Sequence, residues 1–197
     1  MKGIHTEDTF EENIEAELIE SGGYTKGHSQ DFDAELGLFP SYITDFLKSS
    51  QPKAWDKIIS IHKSDVETKV IRRLIKELDL RGALDVLRNG FTDYGVKFKM
   101  AFLKPESSLN PEAFILYEKN ELKVVRQLYY QAAGRSAGAG NSLDVVLVLN
   151  GLPISTIELK NQFSGQDVTN AKKQYVYDRE PSEAIFKFKK RHWYTLQ

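Results

Sequence analysis

The sequence predicts a layered α/β domain, with helices in its first half and a mixed sheet flanked by helices in its second. Up to about residue 90, apolar residues recur at helical spacing, as Phe10, Ile14 and Leu18 do. After Gly90 the period changes to two, and two apolar runs meet at an Asn150-Gly151 turn, a strong hairpin signal. We expect one domain over residues 1–197, mainly helical to about 90 and sheet-containing from about 91.

The helical half should contain four helical pieces before Gly82. The first follows Thr6 and ends at Gly22. The second and third occupy residues 41–62 with a break near Pro52, and the fourth runs from about Asp65 to Leu80. A capping box, Ser64-x-x-Glu67, is expected to open the last of them. Residues 24–40 are polar and irregular, which predicts a loop or a short strand.

The second half should supply a central sheet. Alternation over residues 96–102 predicts one strand, and residues 113–117 and 122–130 are predicted to form a hairpin around Lys119-Asn120. We expect these strands to extend the sheet. The two apolar runs on either side of Asn150 follow, then a helix from about 167 to 177 and a last strand from about 184 to 189.

Three charged residues lie in or beside these two runs: Asp144 in the first, and Glu158 and Lys160 in the second. A two-residue loop would set Asp144 opposite Ile157. We favour a three-residue loop, which sets Asp144 opposite Glu158 and Val148 opposite Ile154. The three charges then converge at one end of one face, while Leu143, Val145, Leu147, Leu149, Ile157 and Leu159 share the other.

Charges in such apolar surroundings need a partner, a metal or a shifted pKa. Asp144 and Glu158 are suited to hold Mg²⁺, and Lys160 to orient an attacking water, which together would hydrolyse a phosphodiester. The alternative is a plain strand end with a salt bridge between Glu158 and Lys160.

Several further segments carry a family resemblance. They are residues 6–24 (TEDTFEENIEAELIESGGY), 89–91 (NGF), 99–105 (KMAFLKP), 110–112 (NPE), 124–127 (VVRQ), 142–144 (SLD), 150–161 (NGLPISTIELKN), and Ala171-x-x-Gln174-Tyr175-x-x-Asp178-Arg179-x-Pro181. In this order, the segments resemble the N-terminal nuclease region of the restriction (R) subunit of type I restriction–modification enzymes. That resemblance implies a PD-(D/E)xK nuclease with an αβββαβ restriction-endonuclease-like core, preceded here by extra N-terminal helices.

By resemblance, the catalytic Asp, Glu and Lys fall on Asp144, Glu158 and Lys160. A helix with Gln-x-x-x-Tyr often follows this core, which points to Gln174 as a fourth catalytic residue. Asp178 stands where the tyrosine is expected, with Tyr175 and Tyr177 nearby, so the tyrosine role is unassigned. Gln174 and Asp178 could instead lie on a solvated helix face.

An N-terminal glutamate reaches the metal in some nucleases of this class. Glu11 or Glu15 could supply it, or could simply lie on the surface of the first helix.

Composition narrows the possible sites. The chain has no cysteine and four histidines without close ligand spacing, which leaves an oxygen-ligated metal. No apolar run is long enough to span a membrane and no signal peptide is evident, so we expect a cytoplasmic protein. The net charge is −1, but residues 1–40 hold ten acids against two lysines, which leaves +7 for the rest. Basic residues between 172 and 191 therefore suggest phosphate contacts, or the solvated face of an ordinary strand.

The Gly-rich segment 132–141 lacks the Gly-Lys-Ser/Thr of a phosphate-binding loop, so we expect no ATP binding by this chain and interpret the segment as a mobile loop beside the site. Type I R subunits also carry an ATP-dependent DNA motor, which makes this chain a fragment of a larger one by resemblance. Its expected partners are double-stranded DNA and the methyltransferase and specificity subunits. The alternatives are a non-catalytic docking or DNA-binding module, or another stand-alone nuclease of the class.

Overall fold

The computed structural model describes residues 7–106, 109–130, 142–159, 183–187 and 194–196. The helices in this part of the chain are α1 (Glu7–Glu20), α2 (Pro40–Ser50), α3 (Pro52–His62), α4 (Val66–Arg81), α5 (Ala83–Asn89) and α6 (Pro111–Tyr117). The strands are β1 (Thr25–Lys26), β2 (Phe91–Asp93), β3 (Val96–Phe98), β4 (Leu122–Tyr129), β5 (Ser142–Leu149), β6 (Leu152–Ile157) and β7 (Tyr194–Leu196).

A mixed five-stranded sheet in the order β1-β4-β5-β6-β7 takes four strands from the second half of the chain and β1 from the first. The central pairs β4–β5 and β5–β6 are antiparallel, whereas β1 and β7 pair in parallel with β4 and β6. The expected α/β class is confirmed. A helix, three consecutive antiparallel strands and a last parallel strand are the described members of the expected αβββαβ core, whose second helix falls in residues outside the described part.

Three apolar clusters hold these layers together. The largest joins α2 to α5 with the β2–β3 hairpin, around Phe46, Leu74 and Phe98. A second lies on one side of the sheet, where Val146 and Val148 meet Phe39. The third lies under α1, whose Ile14 and Leu18 pack against β4, β5 and β6 residues. The central strands are therefore covered on both sides, as their continuous apolar sequence predicts.

The predicted helical pieces are confirmed, although the start of α4 differs. Pro40 and Pro52 stand at the first positions of α2 and α3, where a missing amide donor costs nothing. Asp65, and not Ser64, precedes α4; it has φ 51° and makes no side-chain capping bond. The predicted capping box is wrong because the left-handed residue turns the chain into the helix directly.

Three strand predictions in the second half are wrong. Residues 113–117 are part of α6, since Asn110 caps its first turn by accepting from the Ala113 amide and Pro111 fixes the first helical residue. The β2–β3 hairpin forms its own two-stranded sheet and does not extend the central one. Residues 184–186 form a 3-10 helix, and the last described strand is β7 instead.

The loop of the β5–β6 hairpin is shorter than we predicted. Leu149 pairs with Leu152, so Asn150 and Gly151 form a two-residue turn, with φ 51° and 83° as a type I′ turn requires. Val148 pairs with Pro153, which corrects the predicted pairing with Ile154. A bulge after Leu147 then shifts the register by one residue, and Val145 pairs with Ile157. Continued by one residue, this register sets Asp144 opposite Glu158, as predicted.

The turn is a junction for four segments of chain. Asn150 is 1% exposed, and its Nδ2 donates to the Met100 carbonyl (2.9 Å) and to Asn120 Oδ1 (3.0 Å). Its Oδ1 accepts from the Glu121 amide at 2.7 Å. The Gly151 carbonyl accepts from the amide of Phe39, the residue before α2. The hairpin is thereby fixed to β4, to the segment after β3 and to α2.

Asn150→Asp should lower the free energy of unfolding by about 3 kcal/mol, because aspartate keeps one acceptor but loses both donor bonds and buries a charge against two oxygens. Urea denaturation measures the loss. Asn110→Asp is the matched control, since aspartate caps α6 as well as asparagine does, and a change under about 0.5 kcal/mol is expected. Equal stability of the two variants would contradict this role of Asn150.

Candidate metal and nuclease site

Two carboxylates lie where the neighbouring strands β5 and β6 meet α1. Asp144 is the third residue of β5, and Glu158 directly follows β6 and is only 5% exposed. The backbone amide of Leu159 donates to Asp144 Oδ2 at 2.7 Å. This hydrogen bond ties the two strand ends together and fixes one oxygen of Asp144.

Helix α1 adds two more buried carboxylates. Glu11 is 2% exposed and Glu15 is 7% exposed, one helical turn apart on the side that faces the sheet. Arg126 of β4 lies between them, with Nε 3.4 Å from Glu11 Oε2 and one terminal nitrogen 3.5 Å from Glu15 Oε2. Lys26 of β1 also contacts Glu15, at 3.1 Å. The acids of α1 thus serve to dock this helix as well as to bring negative charge to the site.

Gln127 of β4 joins α1 to β5. Its Nε2 donates to Glu11 Oε1 at 2.7 Å, and its Oε1 accepts from the Ser142 hydroxyl at 2.9 Å. The β4–β5 register passes from Arg126↔Val145 to Leu128↔Leu143, which sets Gln127 opposite Asp144. Gln127 has φ 48°, a left-handed conformation that is uncommon inside a strand.

Some apolar residues of β5 and β6 lie on a different side of the sheet from the one that strict alternation predicts. Val145, Leu147, Ile157 and Leu159 pack together towards α1, as predicted. Leu143 belongs instead to the cluster of Val146 and Val148, and Leu149 packs against the helical core. The prediction that all six residues share one face is therefore wrong, because strict alternation fails at the left-handed Gln127 and at the bulge after Leu147.

The pKa of Glu11 reflects the burial and the negative charge of the site. Burial raises the pKa of its carboxyl above the ordinary value of 4.5, and the nearby negative charge of Asp144 raises it further. Hydrogen bonds from Gln127 and Arg126 act in the opposite direction and do not cancel the rise. Glu11 and Asp144 are thus close enough to repel each other, a condition that a bound cation would relieve.

The donor chemistry fits a hard divalent cation, since the cluster offers carboxylate oxygens and no sulfur or imidazole. Glu15 Oε1 is buried and has no hydrogen-bond partner among the described residues. That part of the chain contains no group of three His, Cys, Asp or Glu side chains already arranged to hold a metal ion. The fit therefore rests on Asp144 and Glu158 at adjacent strand ends, with Glu11 beside them.

Two of the four predicted catalytic residues, Lys160 and Gln174, lie outside the described residues, as do Tyr175, Tyr177 and Asp178. The same holds for the Gly-rich segment and for most of the basic segment 172–191. Of the predicted site, the structure thus describes Asp144 and Glu158, and it brings Glu11 of α1 close to Asp144.

Sequence reasoning missed the parts that Arg126, Gln127 and Ser142 play here. One signal was available: Arg126 and Gln127 are consecutive polar residues inside an apolar strand, which breaks the alternation of a half-buried strand. Such a break is typical of a bulge or a site.

Comparison with protein families matches residues 5–194 to the family described as the Type I restriction enzyme R protein N terminus. Neither the curated proteins nor the solved structures contain a match. The mixed α/β architecture is compatible with a restriction-endonuclease-like fold. Among the described helices, none has the length and apolarity needed to cross a membrane.

Glu11→Gln should raise the free energy of unfolding at neutral pH in metal-free buffer. A carboxyl whose folded pKa is raised loses stability as the pH rises through that pKa, and glutamine avoids this loss while keeping an acceptor for Gln127. Urea denaturation at several pH values should show a gain that is absent below the ordinary pKa and grows towards neutrality.

Glu17→Gln is the matched control for this change, because Glu17 is exposed on the same helix. It should leave the unfolding free energy nearly unchanged at every pH. A loss of stability in Glu11→Gln at neutral pH would show that the ion pair with Arg126 outweighs burial and repulsion.

Proposed function

Since the chain belongs to the family of type I restriction enzyme R protein N termini, we propose that it is a magnesium-dependent endonuclease domain that hydrolyses phosphodiester bonds of double-stranded DNA. It would be the DNA-cleaving part of a type I restriction complex and would cut without sequence specificity. The observation that carries the proposal is the pair Asp144 and Glu158 at adjacent strand ends, beside Glu11, whose carboxyl has a pKa raised by burial and by the charge of Asp144.

In this proposal Asp144 and Glu158 are the magnesium ligands. The Leu159 amide fixes Oδ2 of Asp144, and burial of Glu158 limits the positions that its carboxylate can take. Glu11 is a candidate third ligand, directly or through water, because its repulsion from Asp144 would be relieved by the ion. This proposal assigns the N-terminal glutamate to Glu11 in preference to Glu15, because the negative charge of Asp144 acts on the Glu11 carboxyl, whereas Glu15 is also paired with Lys26 of β1.

A bound magnesium ion supplies electrostatic stabilisation of the phosphate oxygens and a lower pKa for the attacking water. Lys160, two residues after Glu158, would orient that water or neutralise charge that develops on the phosphate. Gln174 would contact the substrate or Lys160. Arg126 and Gln127 would act indirectly, because they hold α1 on the sheet and so set the position of Glu11.

The wider assembly is part of the same proposal. The chain would join methyltransferase and specificity subunits in the cytoplasm, within a larger R subunit whose motor uses ATP that this chain does not itself bind. The competing interpretation is a non-catalytic docking or DNA-binding module, in which the carboxylates of α1 and β5 only fasten the helix to the sheet.

Asp144→Asn should reduce magnesium-dependent nicking of supercoiled plasmid by about 100-fold or more, because it removes a metal-binding charge. Asparagine retains an acceptor for the Leu159 amide, so the strand ends should remain joined. Glu158→Gln and Lys160→Ala should have similar effects. The unfolding free energy, measured alongside, separates a lost activity from a lost fold.

Asp56→Asn, at an exposed position of α3, is the matched control and should cut like the wild type. Cleavage by Asp144→Asn at near the wild-type rate would refute the assignment. A variant that loses stability or subunit assembly, and not the chemical step, would favour the docking interpretation.

A further inference from the structure

We propose that a basic cavity on the helical half of the chain binds the sugar-phosphate backbone of DNA. The cavity has a volume of about 810 Å³ and lies between α4 and the β2–β3 hairpin. We call it the α4 cavity; its cationic lining residues are Lys69, Arg72, Arg73 and Lys76. It shares no lining residue with the acidic cluster around Asp144, so it is a second site. The inference rests on the proposed function only in that its ligand would be the substrate.

The four cations follow the helical repeat. They are spaced at i, i+3, i+4 and i+7, which places them along one side of α4 over about 10 Å. The other side of the helix is buried in the core through Val70, Leu74 and Leu78. Arg72 and Lys76 are exposed and have no ion-pair partner within the described part of the chain. Their charge is therefore available to a ligand.

Each of the remaining two cations donates to one neutral backbone carbonyl. Arg73 Nε donates to the Thr92 carbonyl at 2.8 Å, and Lys69 Nζ donates to the His62 carbonyl at 3.2 Å. Arg73 also pairs with Glu77, which Arg81 shares. Carbonyl acceptors orient a cation without cancelling its charge. The wall of the cavity thus has fixed positive groups before any ligand arrives.

The acid that lines the cavity contributes little repulsion. Asp93 is buried, and its Oδ2 lies 2.6 Å from Nε2 of His62, whose side chain is also almost wholly buried. The carboxylate is therefore paired with the histidine, and the four cations of α4 outnumber it in the cavity lining.

An aromatic ring stands at the rim. Tyr94 is 75% exposed although it begins the Tyr94-Gly95 turn of the hairpin with φ 45°, a conformation that asparagine or glycine adopts at lower cost. The ring lies edge-on to His62, with centroids 5.3 Å apart. The exposed Tyr94 ring beside these cations offers an apolar face to a sugar of the DNA backbone.

The length of the positive surface favours a polymer over a single small anion. A second cavity of about 570 Å³ shares Arg73 and Thr92 with the first and adds Lys97 and Lys99, both exposed. One DNA strand carries a phosphate every ~3.4 Å, so a 10 Å row of cations faces about three of them. The chain has a net charge of −1 and offers no general attraction to DNA, so binding needs a local row such as this one.

Salt dependence of DNA binding tests the proposal. Binding of a fluorescein-labelled duplex of mixed sequence is measured by anisotropy in EDTA, so that no metal is needed. Arg72→Ala combined with Lys76→Ala removes two phosphate contacts, and the slope of log K against log salt should be shallower by about 1.8. Raising the salt fourfold should then weaken the wild type ~12-fold more than the variant. Alanine preserves the helix.

Lys104→Ala combined with Lys119→Ala is the matched control, because both lysines are exposed, line neither cavity and have no ion pair in the described part of the chain. It should keep the wild-type slope. An unchanged slope in the α4 variant, or an equal change in the control, would overturn the proposal and favour an acidic protein surface as the occupant. The metal-free readout is independent of cutting, so failure of the nuclease assignment and failure of this one are distinguishable.

Discussion

The Asn150-Gly151 turn is the constraint on which the rest of the structure depends. A two-residue turn alone would set Asp144 opposite Ile157, on the wrong face for a shared site. The bulge after Leu147 adds one residue to β6 and restores the pairing of Asp144 with Glu158. The turn is fixed in position, because Asn150 bonds to Met100 and to the Asn120-Glu121 segment, Gly151 bonds to Phe39, and a side chain on Gly151 would come within 2.7 Å of the Ile43 backbone nitrogen.

Burial of the acidic cluster that results costs free energy, and the ion pairs with the acids of α1 offset only part of this cost. Arg126 and Lys26 pair with the acids of α1, yet the pKa of Glu11 remains raised and Glu15 keeps one buried oxygen without a partner among the described residues. In the proposed function a cation between the strand ends would offset the burial and repulsion at Glu11, and the basic α4 cavity would hold the polyanion on which the cation acts.

Sequence reasoning predicted what depends on local pattern and missed what depends on tertiary contacts. The helical repeat predicted α1 to α4, and the apolar runs with their Asn-Gly turn predicted β5 and β6. The strand predicted at residues 113–117 failed because Asn110 and Pro111 nucleate a helix that β-type composition alone does not reveal. The bulge and the left-handed Gln127 follow from packing across strands, so no pattern in one strand could show that Leu143 and Val145 join different clusters. The sequence left Glu11 and Glu15 as alternatives; in the structure Glu11 lies near Asp144 and accepts from Gln127, whereas Glu15 pairs with Lys26.

Magnesium binding without DNA tests the central claim most directly. Isothermal titration of magnesium into the wild type and into Asp144→Asn measures the ion at the hairpin even where cleavage needs further subunits. We expect binding by the wild type that is lost in the folded variant. Equal binding by both proteins would place the ion elsewhere and contradict the assignment of Asp144 as a ligand.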